Sequence, residues 1–255
     1  MAKTPFVRAT AATGANAITA TVPGEHGTDG SRTLIERTYA LLRDDIVEGQ
    51  LAPGEKLRVE HLKERYGASA GTLREAITRL SSDALVEAEG QRGFRVASVT
   101  IEELQDITAL RLHIELDALR RSVRSGGEAW RHRLRQSFDE LAALELSLKE
   151  EDRARWEMAN ARFHEALIAA AATPWTLRVL RLLSRQTERY RRFAIGLHDA
   201  GRNLHDEHLQ IYQAAMAGQD ARAALALEMH VRATPDLLLR ERERLPVLGT
   251  WPMNR

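Results

Sequence analysis

Three histidines in the second half of the sequence lie on helical stripes whose other members are apolar. His164 shares its stripe with Trp156 and Leu167, and the stripes of His208 and His230 are likewise built from Ala, Leu and Ile. A polar ring in such a place costs stability unless it is hydrogen-bonded or binds a metal. Each histidine taken singly is explained by an ordinary hydrogen bond in the core. Three on separate helices of one bundle can instead converge on a divalent transition metal, for example zinc.

Arg111 is a second residue with chemical potential, because it lies on the apolar stripe of Leu104, Ile107 and Ala118. A guanidinium that points inward requires an anionic partner. Glu115, one helical turn further on, is one candidate for that partner. The other is the carboxylate of a small effector, which a guanidinium binds through two parallel hydrogen bonds beside the metal.

Long helices must position these residues, since the sequence after Thr100 has helical periodicity and no strand signal. Gly and Pro residues divide it into six segments. We predict helices at roughly 101–124, 127–149, 152–172, 174–196, 202–217 and 220–242. This pattern indicates an all-α six-helix bundle.

The helix at 101–124 has a second apolar stripe, roughly opposite the first. Its members are Leu112, Leu116, Leu119 and Val123. A helix that is apolar on two sides packs against two partners, and a long apolar stripe does not face water. We therefore expect a homodimer, with this stripe as the leading candidate for its contact surface.

The segment at 34–96 has a different pattern, with three short amphipathic helices followed by a hairpin. Apolar residues at helical spacing mark the first helix up to Ile46, and Pro53-Gly54 ends it. A second helix runs from Val59 to a glycine cap at Gly67. Ser69 caps a third helix, and a hairpin with apolar strands follows at 85–96. Two helices joined by a tight turn and followed by a hairpin predict a winged helix-turn-helix that binds DNA.

Phosphate contacts in this region must come from a local patch, because residues 31–99 hold eleven basic and eleven acidic side chains. The third helix presents small groups around one arginine on its outer face, and its N-terminus favours phosphate. The predicted DNA-binding residues are Arg58, Ser69, Gly71, Thr72, Arg74, Arg79 and Arg92. Arg74 has the best position for reading a base.

The same residues resemble the GntR family of bacterial transcription regulators. The shared pattern includes Pro53-Gly54-Glu55-x-Leu57, Ser69-x-x-x-x-Arg74-Glu75-Ala76 and Arg92-Gly93-x-x-Val96. Two positions depart from it: Ala70 replaces a frequent arginine, and Ala84 replaces a usual glycine. The first departure removes a DNA contact, so the family's operator sequence does not carry over.

A second resemblance covers roughly 101–240. Asn160-Ala161-Arg162-Phe163-His164, then Glu207-His208 and His230, resemble the FCD ligand-binding domain of the FadR-type branch, in its shorter six-helix, VanR-like version. The resemblance implies a metal, zinc being the expected ion, held by His164, His208, His230 and an aspartate. This chain has Asn160 in place of the aspartate, and a neutral amide oxygen is a poorer ligand than a carboxylate.

Composition sets the outer bounds. The 255 residues allow two small domains, 44% of them are hydrophobic, and no run of eighteen apolar residues exists. There is no cysteine, which fits a cytoplasmic protein. We predict a disordered tail at 1–31, a winged-helix domain at 32–99, an effector-binding and dimerisation domain at 100–243 and a C-terminal tail at 244–255.

These observations favour a homodimeric regulator that binds a double-stranded DNA operator and senses a small carboxylate. A metal-dependent hydrolase or lyase with a three-histidine site is the alternative from another class. It lacks a general base, because Glu165 points about 100° away from His164 on the helix. An architectural DNA-binding protein is a third possibility, and it leaves Arg111 and the histidines without a role.

Overall fold

The computed structural model describes residues 29–90, 93–147, 149, 152–195, 202–245 and 247–248, which form an N-terminal head and a helical bundle. The head contains α1 (Asp29–Val47), β1 (Lys56–Leu57), α2 (Val59–Tyr66), α3 (Ala70–Ser82), β2 (Val86–Ala88) and β3 (Phe94–Val96). The bundle contains α4 (Ile101–Ser125), α5 (Glu128–Glu145), α6 (Arg153–Ile168), α7 (Pro174–Ile195), α8 (Leu204–Met216) and α9 (Asp220–Arg240). The predicted fold class and the six bundle helices are confirmed.

The helix-turn-helix forms where the capping residues predict it. Gly67 ends α2 in the left-handed conformation, with φ of 59°. The Ser69 hydroxyl then accepts a hydrogen bond from the Thr72 amide at 3.2 Å and so begins α3. Leu73 and Ile77, on the inner face of α3, are completely buried against the head's other helices. Burial of one face leaves the opposite face of α3 exposed.

The wing is a three-stranded antiparallel sheet in which β3 lies between β1 and β2. Val86 pairs with Val96, as the hairpin pattern predicts, and Leu57 pairs with Phe94 on the other side. The sequence did not indicate β1. A strand of two residues is too short to show alternation, and it follows directly on the Pro53-Gly54 turn.

The turn after α3 holds Ala84 in the left-handed region, with φ of 56°. The Leu85 amide donates to the Leu80 carbonyl at 3.0 Å, which is the closing bond of a glycine-type helix C-terminus. Ala84 carries a side chain at a position whose conformation favours glycine. Its Cβ therefore makes this backbone conformation unfavourable.

Both apolar stripes of α4 are buried by the chain itself, so the predicted dimer surface is wrong. Leu112, Leu119 and Val123 are at most 4% exposed, and they belong to the bundle core with Leu116 packed against it. Leu104, from the other stripe, packs with residues of α7 and α9. The two stripes exist because α4 is the central helix, with neighbours on both sides.

The domain ends differ slightly from the predicted bounds. Helix α1 begins at Asp29, within the predicted N-terminal tail, and residues 1–28 lie outside the described residues. At the other end Leu248 is buried against Tyr190 and Val99, so the first part of the predicted C-terminal tail packs on the bundle. Trp251 lies outside the described residues. No described helix has the length and apolarity needed to span a membrane.

Helix α7 joins the bundle to the head. Arg185 donates to the carboxylate of Asp83 at the end of α3, and Gln186 donates to the Asp83 carbonyl at 2.5 Å. Arg189, which is almost completely buried, donates to the carbonyl of Ala97 after the wing. The recognition helix and the wing thus both contact one bundle helix.

Candidate metal centre and nucleic-acid interface

The three predicted histidines converge in the bundle core. His164 comes from α6, His208 from α8 and His230 from α9, and one nitrogen from each lies within 4.8 Å of the others. Nitrogens that share a tetrahedral zinc at about 2.0–2.1 Å lie about 3.3 Å apart, so small side-chain movements complete such a site. The ring centroids of His208 and His230 are 4.5 Å apart. The other two pairs of rings have centroids 5.2 and 5.9 Å apart, so the three imidazoles lie together in one place.

His208 is oriented by a carboxylate from another helix. Its Nδ1 lies 2.7 Å from Oε1 of Glu145, at the end of α5. The same oxygen accepts the indole N–H of Trp156 at 3.1 Å. Since the carboxylate requires a donor, His208 carries its proton on Nδ1, which leaves Nε2 free as a ligand.

His230 has the same arrangement with a different carboxylate. Its Nδ1 lies 2.7 Å from Oε2 of Glu207, the residue that precedes His208. Arg202 holds Glu207 through two hydrogen bonds of 2.8 Å and also donates to the His230 carbonyl at 3.2 Å. Burial, with His208 and His164 adding to it, holds the pKa of His230 well below its usual value. The ring is therefore neutral, as a metal ligand must be.

Glu115 and Arg111 form a buried pair beside His164. Nε of Arg111 donates to Glu115 at 2.7 Å, and its Nη1 donates to Thr187 at 3.3 Å. The other Glu115 oxygen lies 3.7 Å from Nδ1 of His164. Burial raises the pKa of Glu115, but Arg111 and His164 outweigh it and bring the pKa to about 2. Burial lowers the pKa of His164. Glu115, which the sequence offered as one partner for Arg111, is the partner found.

Asn160 lies one turn before His164 and is 6% exposed. Its Oδ1 is buried without a hydrogen-bond partner, and so are Nε2 of His208 and Nδ1 of His164. An orphaned buried polar atom costs roughly 1–3 kcal/mol. Several such atoms around three imidazoles fit a bound cation, because a cation satisfies acceptors that have no donor.

The charge of Glu145 gives a second, independent test of that fit. Its side chain is 3% exposed, and among the described residues no Lys or Arg nitrogen lies within 4.0 Å of it. The groups around it are His208, His205 and Trp156. A buried carboxylate without a cation is costly. A divalent ion on the far nitrogen of His208 provides the missing positive charge, so the residues fit a metal.

The N-terminal half of α3 forms the second candidate site. Ser69, Gly71 and Arg74 are exposed there, and Thr72 is partly exposed. Thr72 is engaged locally, since its hydroxyl lies 2.9 Å from that of Ser69. Arg74 is exposed and lies about 100° around the helix from the buried Leu73. This surface has the shape and polarity of a recognition helix.

The remaining predicted DNA contacts are divided among three places. Arg58 is exposed immediately before α2. Arg79 lies about 140° around α3 from Arg74, and its guanidinium stacks over the Tyr39 ring at 4.2 Å. Arg79 is exposed and also lines a cavity next to the bundle, and its role at the DNA surface stays a prediction. Arg92, in the wing turn, lies outside the described residues.

Three site residues were not predicted: Glu145, Glu207 and Arg202. Glu207 had a local signal, because it adjoins His208 and lies 23 residues before His230. Glu145 had none, since it is 63 residues from His208 and meets it only when α5 packs on α8. Arg202 could not be singled out from the other arginines without the position of Glu207.

A winged helix with an exposed recognition helix, fused to an all-α domain, is the architecture of a DNA-binding transcription regulator. Comparison with family profiles agrees. Residues 34–96 match "Bacterial regulatory proteins, gntR family", and residues 106–233 match "FCD domain". The chain belongs to the gntR family of bacterial regulators, and its second domain is an FCD domain.

Individual relatives span most of the chain. It is 41% identical to the uncharacterized HTH-type transcriptional regulator BphR of Paraburkholderia xenovorans (strain LB400), over 80% of this chain and 84% of that protein. It is 30% identical to the HTH-type transcriptional repressor GlaR of Escherichia coli (strain K12), over 76% and 90%. A GntR regulator from Rhodococcus sp. RHA1 shares the fold, with a TM-score of 0.66, 22% identity and coverage of 82% and 98%.

Proposed function

We propose that this DNA-binding regulator senses a small carboxylate at a metal centre in its FCD domain and thereby alters its affinity for an operator. The observation that carries the proposal is the convergence of three imidazoles, within 4.8 Å, next to buried polar atoms that have no hydrogen-bond partner among the described residues. The effector must bind one arrangement of the protein better than another, since an effector with equal affinity for both shifts nothing.

His164, His208 and His230 would hold the ion, with Asn160 as a weak oxygen ligand or as the residue that holds a water. Zinc fits imidazole ligands, and a bound ion would supply positive charge and open positions for an effector carboxylate. Asn160→Asp adds a charged oxygen at the same position on α6. We expect this substitution to raise metal affinity, which a chelator-competition titration measures.

Arg111 would contribute to effector binding by sharing its guanidinium between Glu115 and the effector carboxylate. Five N–H donors in a fixed fork allow such sharing, and Glu115 occupies one face of it. We expect Arg111→Ala to retain metal but to lose carboxylate affinity and the effector response. A variant that keeps the full response would remove Arg111 from the effector site.

For operator binding we propose the exposed face of α3 with Ser69, Gly71, Thr72 and Arg74. Arg58 and the wing residue Arg92 would contact phosphates. Two heads in a homodimer would read a palindrome in successive major grooves. The dimer is tested by light scattering, where a monomer at micromolar concentration would overturn it.

The enzymatic alternative gains no support from the residues around the histidines. Glu165, the carboxylate that follows His164, is exposed and held by Arg181 through hydrogen bonds of 2.6 and 2.7 Å. Glu115 and Glu145 are occupied by Arg111 and by His208. With the imidazoles as metal ligands, the general base would have to be a carboxylate within reach of a substrate, and these three carboxylates are already engaged.

One experiment tests the sensing proposal directly. Zinc-loaded protein is titrated into labelled operator DNA, with and without members of a carboxylic-acid library that shift its melting temperature. We expect at least one acid to change operator affinity in wild type and to have no effect in His208→Ala. An equal response in both proteins would show that the histidine centre is not the sensor.

A further inference from the structure

A cavity of about 740 Å³ lies between the head and the bundle. Its walls come from α1 and α3 of the head and from α6 and α7 of the bundle. It meets the histidine centre only at His164 and Glu115. Pockets of this size accommodate small organic ligands. Because both domains supply its walls, a ligand here would touch the DNA-binding head directly.

One wall of the cavity is apolar and belongs to a single face of α6. Ala154, Met158, Ala161 and Ile168 follow one another at helical spacing along it. Met158 is 56% exposed, although it adjoins an otherwise well-packed core. An exposed methionine on a concave wall is suited to contact with an apolar ligand, because its side chain adapts to different shapes.

The cavity also has spare cationic donors. Nη2 of Arg153 is buried and has no hydrogen-bond partner among the described residues, and the one described carboxylate oxygen within 4.0 Å of the guanidinium, on Glu48, is 3.8 Å from Nη1. That distance is too long for a hydrogen bond. Arg79 stacks on Tyr39, and among the described residues no carboxylate lies within 4.0 Å of it. These two guanidiniums come from different domains.

Other arginines that line the cavity, unlike Arg153, are paired with carboxylates. Arg191 holds Glu157 through two hydrogen bonds, and Arg181 holds Glu165 in the same way. The ion pair of Arg43 with Glu188 closes the cavity between α1 and α7. Arg153 differs from these arginines because its buried Nη2 has no acceptor among the described residues.

We propose that this cavity is a binding site for a small amphiphilic carboxylate, distinct from the histidine centre. The carboxylate pairs with the free donor of Arg153, and the apolar body lies along Met158 and Ala161. Occupancy favours the arrangement in which head and bundle together enclose the ligand. The site therefore couples the ligand to the position of the recognition helix.

The test is isothermal titration of metal-free, full-length protein with octanoate and with phenylacetate, and with 1-octanol as the uncharged comparison. We expect saturable binding of at least one acid and none of the alcohol. Ala161→Trp fills the cavity and Arg153→Gln removes the charge, so each should weaken binding about tenfold or more. The matched controls are Ala109→Trp, on an exposed face of α4, and Arg155→Gln, on an exposed face of α6. Both should bind as wild type does.

The outcomes separate this inference from the proposed function. The inference would be overturned if neither acid bound, or if both cavity variants bound the acid as tightly as wild type does. Binding that needs zinc and is lost in His208→Ala would place the acid at the histidine centre, which supports the proposed function and contradicts a separate site. Binding by metal-free protein that also fails to take up zinc would support the cavity site and contradict the metal centre. Circular dichroism and melting curves verify that each variant is folded.

Discussion

The recognition helix and the histidine centre are both candidate binding sites, but they are built in opposite ways. Helix α3 (Ala70–Ser82) and its cap Ser69 carry the central part of the candidate binding face in one continuous segment, which the head core stabilises from behind. The histidine centre takes one ring each from α6, α8 and α9 and its supporting carboxylates from α4, α5 and α8.

This difference determines what each site needs. The polar groups of the recognition helix are hydrated, so they carry no desolvation cost in the absence of DNA. Binding there depends on the charge of the DNA phosphates. The histidine centre would be satisfied by a cation, because Glu145 is buried and so is Nε2 of His208, which has no hydrogen-bond partner among the described residues. A substitution at the recognition helix should therefore leave zinc affinity unchanged, and a substitution at the histidine centre should leave operator affinity unchanged when no effector is present.

The largest effect is expected at the recognition helix. If Arg74 reads a guanine through two hydrogen bonds, Arg74→Ala should cost about 1–3 kcal/mol of operator affinity. Zinc affinity should remain unchanged. Gel-shift titrations measure the first quantity and chelator competition the second, with Arg121→Ala on the exposed side of α4 as the control. Unchanged operator affinity in a folded variant would remove Arg74 from the DNA site.

An effect of comparable size, on zinc binding and not on DNA binding, is expected from Glu145→Gln. The amide can still accept the N–H of His208 but carries no charge, so zinc affinity should fall about 10–100-fold. Operator affinity without effector should not change. Glu140→Gln is the matched control, since Glu140 lies on the same helix α5 but is exposed and paired with Arg162.

If Glu145→Gln bound zinc as tightly as wild type, the carboxylate would not be compensating a metal charge. A merely structural role for Glu145 would instead lower the melting temperature of the metal-free protein. The two explanations are separated by melting the metal-free variant beside the zinc titration.

The smallest effect is expected in the turn behind the recognition helix. Ala84→Gly relieves an unfavourable left-handed residue but adds freedom to the unfolded chain, so we expect a net stabilisation of about 0.5–1 kcal/mol. Ala109→Gly, at an exposed position inside α4, should destabilise by about the same amount. Denaturant unfolding measures both. A loss of stability in Ala84→Gly would contradict the strained turn.

The same contrast explains what the sequence could predict. The head was readable because its signals are local: a glycine cap at Gly67, a hydroxyl cap at Ser69 and apolar spacing along α3. The histidines were readable because a polar ring on an apolar stripe is conspicuous. Their carboxylate partners were not, because Glu145 reaches His208 only through packing of distant helices.

One prediction failed, and one contact was missed, for reasons of the same kind. The stripe with Leu112 and Leu119 was correctly identified as buried, but the partner that buries it is the chain itself. Arg79 was assigned to DNA as part of a local patch with Arg58, Arg74 and Arg92, and that role stays a prediction. Its contact with Tyr39 depends on how α1 crosses α3, which periodicity within one helix does not reveal.

The central claim is that the three histidines form a metal centre, and zinc titration of chelator-treated protein by isothermal calorimetry tests it most directly. We predict one zinc ion per chain in wild type. Affinity should fall more than about 100-fold in His208→Ala, beyond the effect of losing a supporting carboxylate. The absence of stoichiometric binding in wild type, or equal binding in His208→Ala, would contradict the account.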